Sequence, residues 1–205
     1  MNQRPKTQAE INEYRRRSMI DGTLRSLSEK GVTGTTVRSI SGGKAGSRGL
    51  IGHYYRSKED LMAAAFVDLM QTITVAVNRV QARCGNDPVK RLKALPRAMF
   101  STEVFTDLNR GAFLTFWHEI RFNPTVRKAN EDIYRDYFKA VKDLFNEAAQ
   151  QLDVELDTGS AALGLIAMVD GMWLELSIDD KIITRQKAVK LCHHYIEQQL
   201  SPIVC

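Results

Sequence analysis

An acidic residue inside an apolar segment gives the first indication of chemistry. Asp170 lies within residues 161–176, a segment that is apolar almost all round. An unpaired carboxylate is costly to bury, and a cationic ligand would satisfy it. Aromatic faces attract cations, and the same half of the chain contains Phe113, Phe116, Trp117, Tyr134, Tyr137, Phe138 and Trp173. Core packing is the simpler interpretation for most of these rings.

The charge distribution indicates a second kind of chemistry. Residues 1–60 hold 12 of the 29 Lys and Arg residues but 6 of the 24 Asp and Glu, leaving 17 against 18 in the remainder. A basic excess confined to one segment is typical of proteins that neutralise phosphates and release counterions. A solvated basic helix face is the plainer alternative.

Other motifs do not indicate catalysis, a cofactor or a metal site. The glycines around Gly43-Lys44 lack the pattern of a phosphate loop, and the adjacent pair His193-His194 points to different helix faces. Cys84, Cys192 and Cys205 have no metal-binding spacing and are expected to be free thiols. No catalytic constellation is present, which disfavours a helical enzyme. An enzyme and a helical ligand-binding or scaffold protein without DNA binding are the rival hypotheses.

The elements that must position these side chains are predicted to be helices. Apolar residues recur at helical spacing, and no stretch shows the sustained alternation of strands. The sequence therefore predicts an all-α protein of about nine helices, in which two short helices around a glycine-bearing turn form a helix-turn-helix. The predicted helices are residues 8–29 with Gly31 as stop, a short helix after Thr36, 47–54, 58–84, 89–104, 107–121, 125–151, 158–177 and 185–200.

These helices are predicted to form two domains. Residues 1–60 would be the helix-turn-helix domain and residues 61–205 a second helical domain, with the long helix 58–84 linking the two. The longest uninterrupted apolar run, residues 161–169, is too short for a membrane span. The first ten residues have no signal-peptide pattern. The expected location is the cytoplasm, without a membrane partner.

Two segments carry a resemblance to a known family. Residues 34–40 (GTTVRSI) and 47–61 (SRGLIGHYYRSKEDL) resemble the DNA-binding signature of the TetR family of repressors, and the order of helices fits that family along the whole chain. The resemblance implies a third helix in the DNA major groove and a double-stranded, pseudo-palindromic operator.

The residues that this resemblance assigns to DNA contact are Thr36, Arg38, Ser47, Arg48, Gly49, His53, Tyr54 and Lys58. Core packing is an alternative for Tyr54. The segment Lys44-Ala45-Gly46 departs from the family pattern in the turn.

The C-terminal half resembles one branch of the family more closely. Phe116-Trp117, Asn123-Pro124 and residues 169–174 (VDGMWL) resemble BetI, the choline-responsive repressors of glycine betaine synthesis. This implies a small-molecule effector, choline or a close quaternary amine, in a cage of Trp117 and Trp173 with Asp170 as counter-charge. The implied ligand residues are Phe116, Trp117, Tyr137, Asp170 and Trp173. A family member that controls unrelated genes, such as efflux or catabolism, with another hydrophobic or cationic effector is the alternative.

The last two predicted helices are expected to form a homodimer. Their apolar surface is too large for a monomer to expose, so they should pack with their partner copies as a four-helix bundle. The interface residues that this predicts are Leu165, Met172, Leu191 and Tyr195. Coupling between effector and DNA is expected to run through the helix at 58–84.

Overall fold

A computed structural model describes residues 7–41 and 47–201, and the side chains of residues 47–50 lie outside this description. Within these ranges every regular element is a helix, as the sequence predicts. The described helices are α1 (Gln8–Gly34), α2 (Val37–Ile40), α3 (Ser47–Tyr54), α4 (Lys58–Ala82), α5 (Pro88–Met99), α6 (Asp107–Phe122), α7 (Pro124–Leu152), α8 (Thr158–Ile178) and α9 (Arg185–Gln199).

Side-chain caps explain where several helices begin. Thr7 and Glu10 form a capping box at α1, and Thr36 caps α2 by accepting a hydrogen bond from the Ser39 backbone nitrogen. Asp87 caps α5, and Asp157 accepts from two backbone nitrogens at the start of α8. These oxygens satisfy backbone donors that have no partner within the helix, so the cap residues fix the helix starts.

Two helix ends differ from the predicted ones. Gly31 has a left-handed φ of 63° and interrupts the helical geometry, but the chain returns to helix and α1 ends at Gly34. Glycine reaches this conformation without steric cost, so the helical geometry is interrupted at this residue. The predicted stop at Gly31 is therefore a break inside α1. The fifth helix was predicted to reach residue 104 and ends at Met99. Beyond it Val104 and Phe105 are buried, so the chain turns there to place both side chains in the core.

The chain divides into two compact units, and the first comprises Met1–Leu69 and Asp107–Asn130. Its helix-turn-helix part is built on a cluster of buried apolar residues against which two tyrosines pack: Met19, Ile40, Ile51 and Leu61, with Tyr54 and Tyr55. Helix α6 lies against α1, where the Thr115 hydroxyl donates to the Leu27 carbonyl over 3.1 Å. A Cβ at Gly111 would lie 2.3 Å from the Ser28 hydroxyl, so glycine permits this close approach.

The second unit comprises Met70–Thr106 and Glu131–Cys205. Helix α9 is fixed to α5 by the Lys93–Glu197 ion pair at 2.6 Å and by His193, whose ring nitrogen lies 2.8 Å from the Lys93 carbonyl oxygen. The Tyr195 hydroxyl on α9 donates to the Ala161 carbonyl on α8 over 3.1 Å. Cys192 is a buried free thiol, and burial raises its pKa to about 11. Helix α6 belongs to the first unit, and the domain division at residue 60 remains a prediction.

Helices α4 and α8 are long and apolar enough to cross a membrane, judged by length and composition. Charged residues interrupt both segments, so neither contains an uninterrupted apolar run of spanning length. Core helices of globular proteins meet the same criterion, so it does not identify a membrane span.

Candidate functional site

The helix-turn-helix exposes polar side chains on α2 and α3. Thr36, Arg38 and His53 are exposed, and all three were predicted to contact DNA. Thr36 also serves as the N-cap of α2, so its side chain has a structural role in addition. The exposed guanidinium of Arg38 and the exposed imidazole of His53 can reach phosphate or base edges.

Tyr54, another predicted DNA residue, is half-buried and fixes α3 to α1. Its hydroxyl donates a 2.8 Å hydrogen bond to the side-chain oxygen of Asn12, and the Arg16 guanidinium lies 5.8 Å from its ring centroid. The ring of His53 meets the ring of Tyr54 edge-on, with centroids 4.9 Å apart. Sequence reasoning missed Asn12 and Arg16. Their four-residue spacing, which puts them on one face of α1, is the signal that could have found them.

Lys58 begins α4 and lies partly buried against the end of α1. Its ammonium group is 3.5 Å from the Val32 carbonyl oxygen, a long contact that leaves donors for a phosphate. The remaining predicted DNA residues, Ser47, Arg48 and Gly49, have helical backbone in α3. Their side chains, and the turn at Lys44-Ala45-Gly46, lie outside the described residues, so these predictions stay predictions.

An ion pair joins α1 to α4 inside the first unit. Arg17 contacts both Asp21, at 3.1 Å, and Asp68 on α4. The second carboxylate oxygen of Asp68 is buried and has no hydrogen-bond partner among the described residues. The nearby phenol of Tyr55 has a pKa above its ordinary value, chiefly because it is buried. A charged contact therefore joins α4 to α1.

In the second unit Asp170 lies against tyrosines of α7. The Tyr134 hydroxyl donates to a carboxylate oxygen of Asp170 over 2.8 Å, so the acid is not unpaired, as the sequence suggested it would be. Burial raises the pKa of Asp170 from 3.8 to about 6, against the opposing effect of that hydrogen bond. Burial and the neighbouring carboxylate raise the pKa of Tyr134 above its ordinary value, so the phenol stays a donor.

Tyr137 lies one turn after Tyr134, and the two rings meet edge to face with centroids 6.1 Å apart. Its hydroxyl is buried and finds no hydrogen-bond partner in the described part of the chain. Burial is the largest cause of its raised pKa, followed by the nearby Asp170 and Cys192. A buried phenol with unused hydrogen-bonding capacity thus lies beside a buried acid.

Trp173 lies one turn after Asp170 on α8 and is 3% exposed. Its indole nitrogen donates to the Met99 carbonyl over 3.1 Å, and its ring meets Phe105 edge-on with centroids 4.8 Å apart. The ring is therefore held rigidly in the second unit. The sequence indicated neither Met99 nor Phe105 as its neighbours.

The other predicted ligand aromatics lie on α6 in the first unit. Phe116 is fully buried and packs on Phe66, with ring centroids 5.1 Å apart. Trp117 is half-buried, and its ring lies 6.0 Å from that of Phe113. Because Trp117 and Trp173 belong to different units, the cage that joins them stays a prediction.

The predicted interface residues differ in how much surface they leave for a partner. Leu165 is fully buried within the second unit, whereas Met172, Leu191 and Tyr195 are half-buried. The outer face of α8 carries an exposed stripe without charge. Its exposed members are Leu163, Ala167, Gly171 and Ile178.

Comparisons with family models match both parts of the chain. Residues 19–65 match the model for bacterial regulatory proteins of the tetR family. Residues 88–201 match the model for the C-terminal part of BetI-type transcriptional repressors. The two matches include the helix-turn-helix and most of the second half.

Individual proteins show the same similarity. The HTH-type transcriptional regulator BetI of Burkholderia mallei is 31% identical over 194 residues, covering 95% of this chain and 97% of its own. A crystal structure of a putative transcriptional regulator from Pseudomonas aeruginosa has a TM-score of 0.77 at 26% identity, covering 91% of this chain and 90% of its own. A putative regulator from Saccharomonospora viridis, solved in complex with choline, has a TM-score of 0.74 at 19% identity, covering 90% and 96%. The last similarity concerns the fold alone.

Proposed function

Because the chain belongs to the TetR family of transcriptional regulators and carries a BetI-type C-terminal domain, we propose that it is a repressor switched by choline or a closely related quaternary amine. It acts as a cytoplasmic homodimer on a pseudo-palindromic operator and controls genes of betaine synthesis or choline uptake. The relatives are named regulators, which favours this function over a helical enzyme.

The observation that carries the effector assignment is the group formed by Asp170, Tyr134 and Tyr137, with Trp173 one turn along α8. A quaternary ammonium has no hydrogen-bond donor on nitrogen, so a protein must hold it with aromatic faces and diffuse negative charge. This group supplies both. The choline bound to the Saccharomonospora viridis regulator supports the same ligand class. Phe116 and Trp117 of α6 are further candidates for contact.

The DNA assignment rests on the exposed side chains of α2 and α3 and on the basic excess of the first sixty residues. Arg48 would present its guanidinium fork to guanine, while Lys58 would hold a phosphate. Ser47, Gly49 and Tyr54 would complete the surface with Thr36, Arg38 and His53. A twofold dimer places two copies of α3 on half-sites whose spacing the dimer sets.

The DNA assignment can be tested by gel retardation on sites selected from random DNA. Arg48→Ala should cost about 1 to 3 kcal/mol of binding free energy and relax specificity at one base pair. Lys58→Ala should weaken specific and nonspecific sites alike and lower the salt slope by about one. An unchanged affinity and slope for Lys58→Ala would remove this residue from the interface.

The effector assignment can be tested by calorimetric titration of the full chain with choline, followed by operator binding in its presence. Choline should bind, and its binding should change operator affinity, since a switch needs different affinities for the two conformations. Trp173→Ala and Trp117→Ala should each weaken binding of the cation. Unchanged choline affinity after loss of both tryptophans would contradict the cage. A ligand of another class would favour a family member that regulates unrelated genes.

A further inference from the structure

The hydroxyl of Tyr137 stands out among the polar groups of the second unit. It is buried, and no hydrogen bond joins it to any described residue. Tyr134, on the same face of α7, uses its own hydroxyl to donate to Asp170. The charge of Asp170 acts on both phenols, but their roles differ, because the protein satisfies only the hydroxyl of Tyr134.

A buried hydroxyl without a partner destabilises a folded protein, so its position requires an explanation. A phenol can both donate and accept, and its neighbours offer little for either: the Tyr134 ring packs edge-on, and Cys192 is a weak partner. A bound molecule with an oxygen atom would satisfy the hydroxyl. The nearby Asp170 carboxylate, which is ionised at neutral pH, favours a molecule that also carries positive charge.

We propose that Tyr137 determines the specificity of the effector site and selects cations that carry a neutral hydrogen-bonding oxygen. This inference rests on the proposed function, because it assumes that the group around Asp170 is where the effector binds. A cation of the same shape without oxygen leaves the hydroxyl unpaired and binds more weakly. A zwitterion that carries a carboxylate binds more weakly still, because its negative group meets Asp170.

The experiment compares three probes by calorimetric titration of the full-length protein. The probes are choline, propyltrimethylammonium, in which a methyl group replaces the hydroxyl, and glycine betaine, in which a carboxylate replaces the hydroxymethyl group. Wild type should bind choline about five- to tenfold more tightly than the propyl compound, the worth of one buried hydrogen bond. In Tyr137→Phe this preference should vanish, while the propyl compound binds as in wild type. Tyr14→Phe, at an exposed position of α1, should keep the preference.

The results separate the inference from the function on which it rests. A preference for choline that survives in Tyr137→Phe would overturn the inference alone. Failure of all three probes to bind the wild type would overturn the effector assignment, and the inference with it.

Thermal unfolding of the unliganded protein gives a second, independent readout. Tyr137→Phe should raise the midpoint, because it removes a buried hydroxyl that has no partner. Tyr134→Phe is the matched control and should lower the midpoint, because it breaks the hydrogen bond to Asp170. A midpoint lowered in both variants would show that the Tyr137 hydroxyl has a partner within the protein, which would overturn the inference.

Discussion

At the scale of single residues, Asp170 carries a charge that changes near neutral pH. Burial holds its pKa at about 6, so the carboxylate is ionised at pH 7 and mostly protonated at pH 5. The Tyr134 hydroxyl stays protonated over this range and remains a donor to it. The negative charge available to a cationic ligand therefore depends on pH in this window.

The affinity for choline should consequently fall as the pH is lowered through about 6. If the cation needs the ionised carboxylate, each further pH unit below 6 should cost up to about tenfold in affinity. Titration between pH 5 and 8 measures this, and Asp170→Asn should remove the dependence. A wild-type affinity that stays constant over the range would exclude Asp170 as the counter-charge.

The same shift has an opposite consequence for the unliganded protein. Because the folded pKa lies above the ordinary value of 3.8, the contribution of Asp170 to stability is fully present below about pH 4 and is lost as the pH rises through about 6. Asp170→Asn should therefore gain stability relative to wild type between these pH values. Urea unfolding at pH 4.5 and pH 7 gives the comparison, and a constant difference between the two proteins would contradict the shift.

The hydrogen bond between Tyr54 and Asn12 should stabilise the helix-turn-helix. Tyr54→Phe should lower the free energy of unfolding by about 0.5 to 1.5 kcal/mol, the net worth of one such bond. A double-mutant cycle with Asn12→Ala isolates the pairwise energy. Tyr14→Phe is the exposed control, for which no loss is expected. Equal losses in the two tyrosine variants would show that the bond does not contribute.

Chemistry at single residues was predictable where it depends on residue type, and unpredictable where it depends on long-range partners. An acid in an apolar segment marked Asp170 from sequence alone. Its partner Tyr134 is 36 residues away on another helix, and helical spacing does not reveal which faces meet. The same limit applied to Asn12, which contacts Tyr54 from 42 residues away.

At the scale of elements, one close approach fixes α2 against α1. A Cβ on Gly22 would lie 2.2 Å from the Ile40 carbonyl oxygen, and backbone cannot move aside as a side chain can. Gly22→Ala should therefore reduce stability by about 1 to 3 kcal/mol and weaken operator binding. Gly52→Ala is the matched control in α3, because no atom of the described residues lies within 4 Å of the added carbon and alanine favours helix. Equal effects of the two changes on urea unfolding would contradict this account.

Helix starts were easier to predict than helix ends. Thr36 marks the start of α2 through a local hydrogen bond, which is readable from the sequence because its partner is three residues away. The end of α5 depends instead on the burial of Val104 and Phe105, which tertiary packing decides. The contact of α1 with α6 was also hidden, since it joins residues about 80 positions apart through Gly111.

At the scale of the whole molecule, the uncharged stripe on α8 bears on assembly. Leu163 is 61% exposed and Ile178 is 69% exposed, which is unusual for large apolar side chains on a helix whose other face is buried. A second copy of the same helix would cover the stripe in a twofold arrangement. The sequence predicted this helix, but it also predicted Leu165 as an interface residue, and Leu165 is fully buried within its own unit. Only packing determines which side of a helix that is apolar almost all round faces inward.

Leu163→Glu should accordingly weaken the homodimer. A charge on this stripe would be desolvated and would meet its own copy across a twofold axis, so sedimentation at micromolar concentration should move toward a species of 23.2 kDa. Leu152→Glu, at a 45% exposed leucine of α7, is the control and should stay dimeric. A wild-type protein that sediments as a monomer would contradict the proposed assembly.

The two tryptophans lie one in each unit, and this gives the molecule two separate optical reporters. Trp173 is buried and hydrogen-bonded one turn from Asp170, so its fluorescence emission should be blue-shifted and should change when a cation binds nearby. Trp117 is half-buried on α6, which packs on α1, so its emission should be redder and should follow events in that unit. Each single Trp→Phe variant leaves one tryptophan, which can be excited selectively at about 295 nm or above, where tyrosine hardly absorbs. Rapid-mixing experiments on the two variants would then time the fluorescence change in each unit separately after a cation is added.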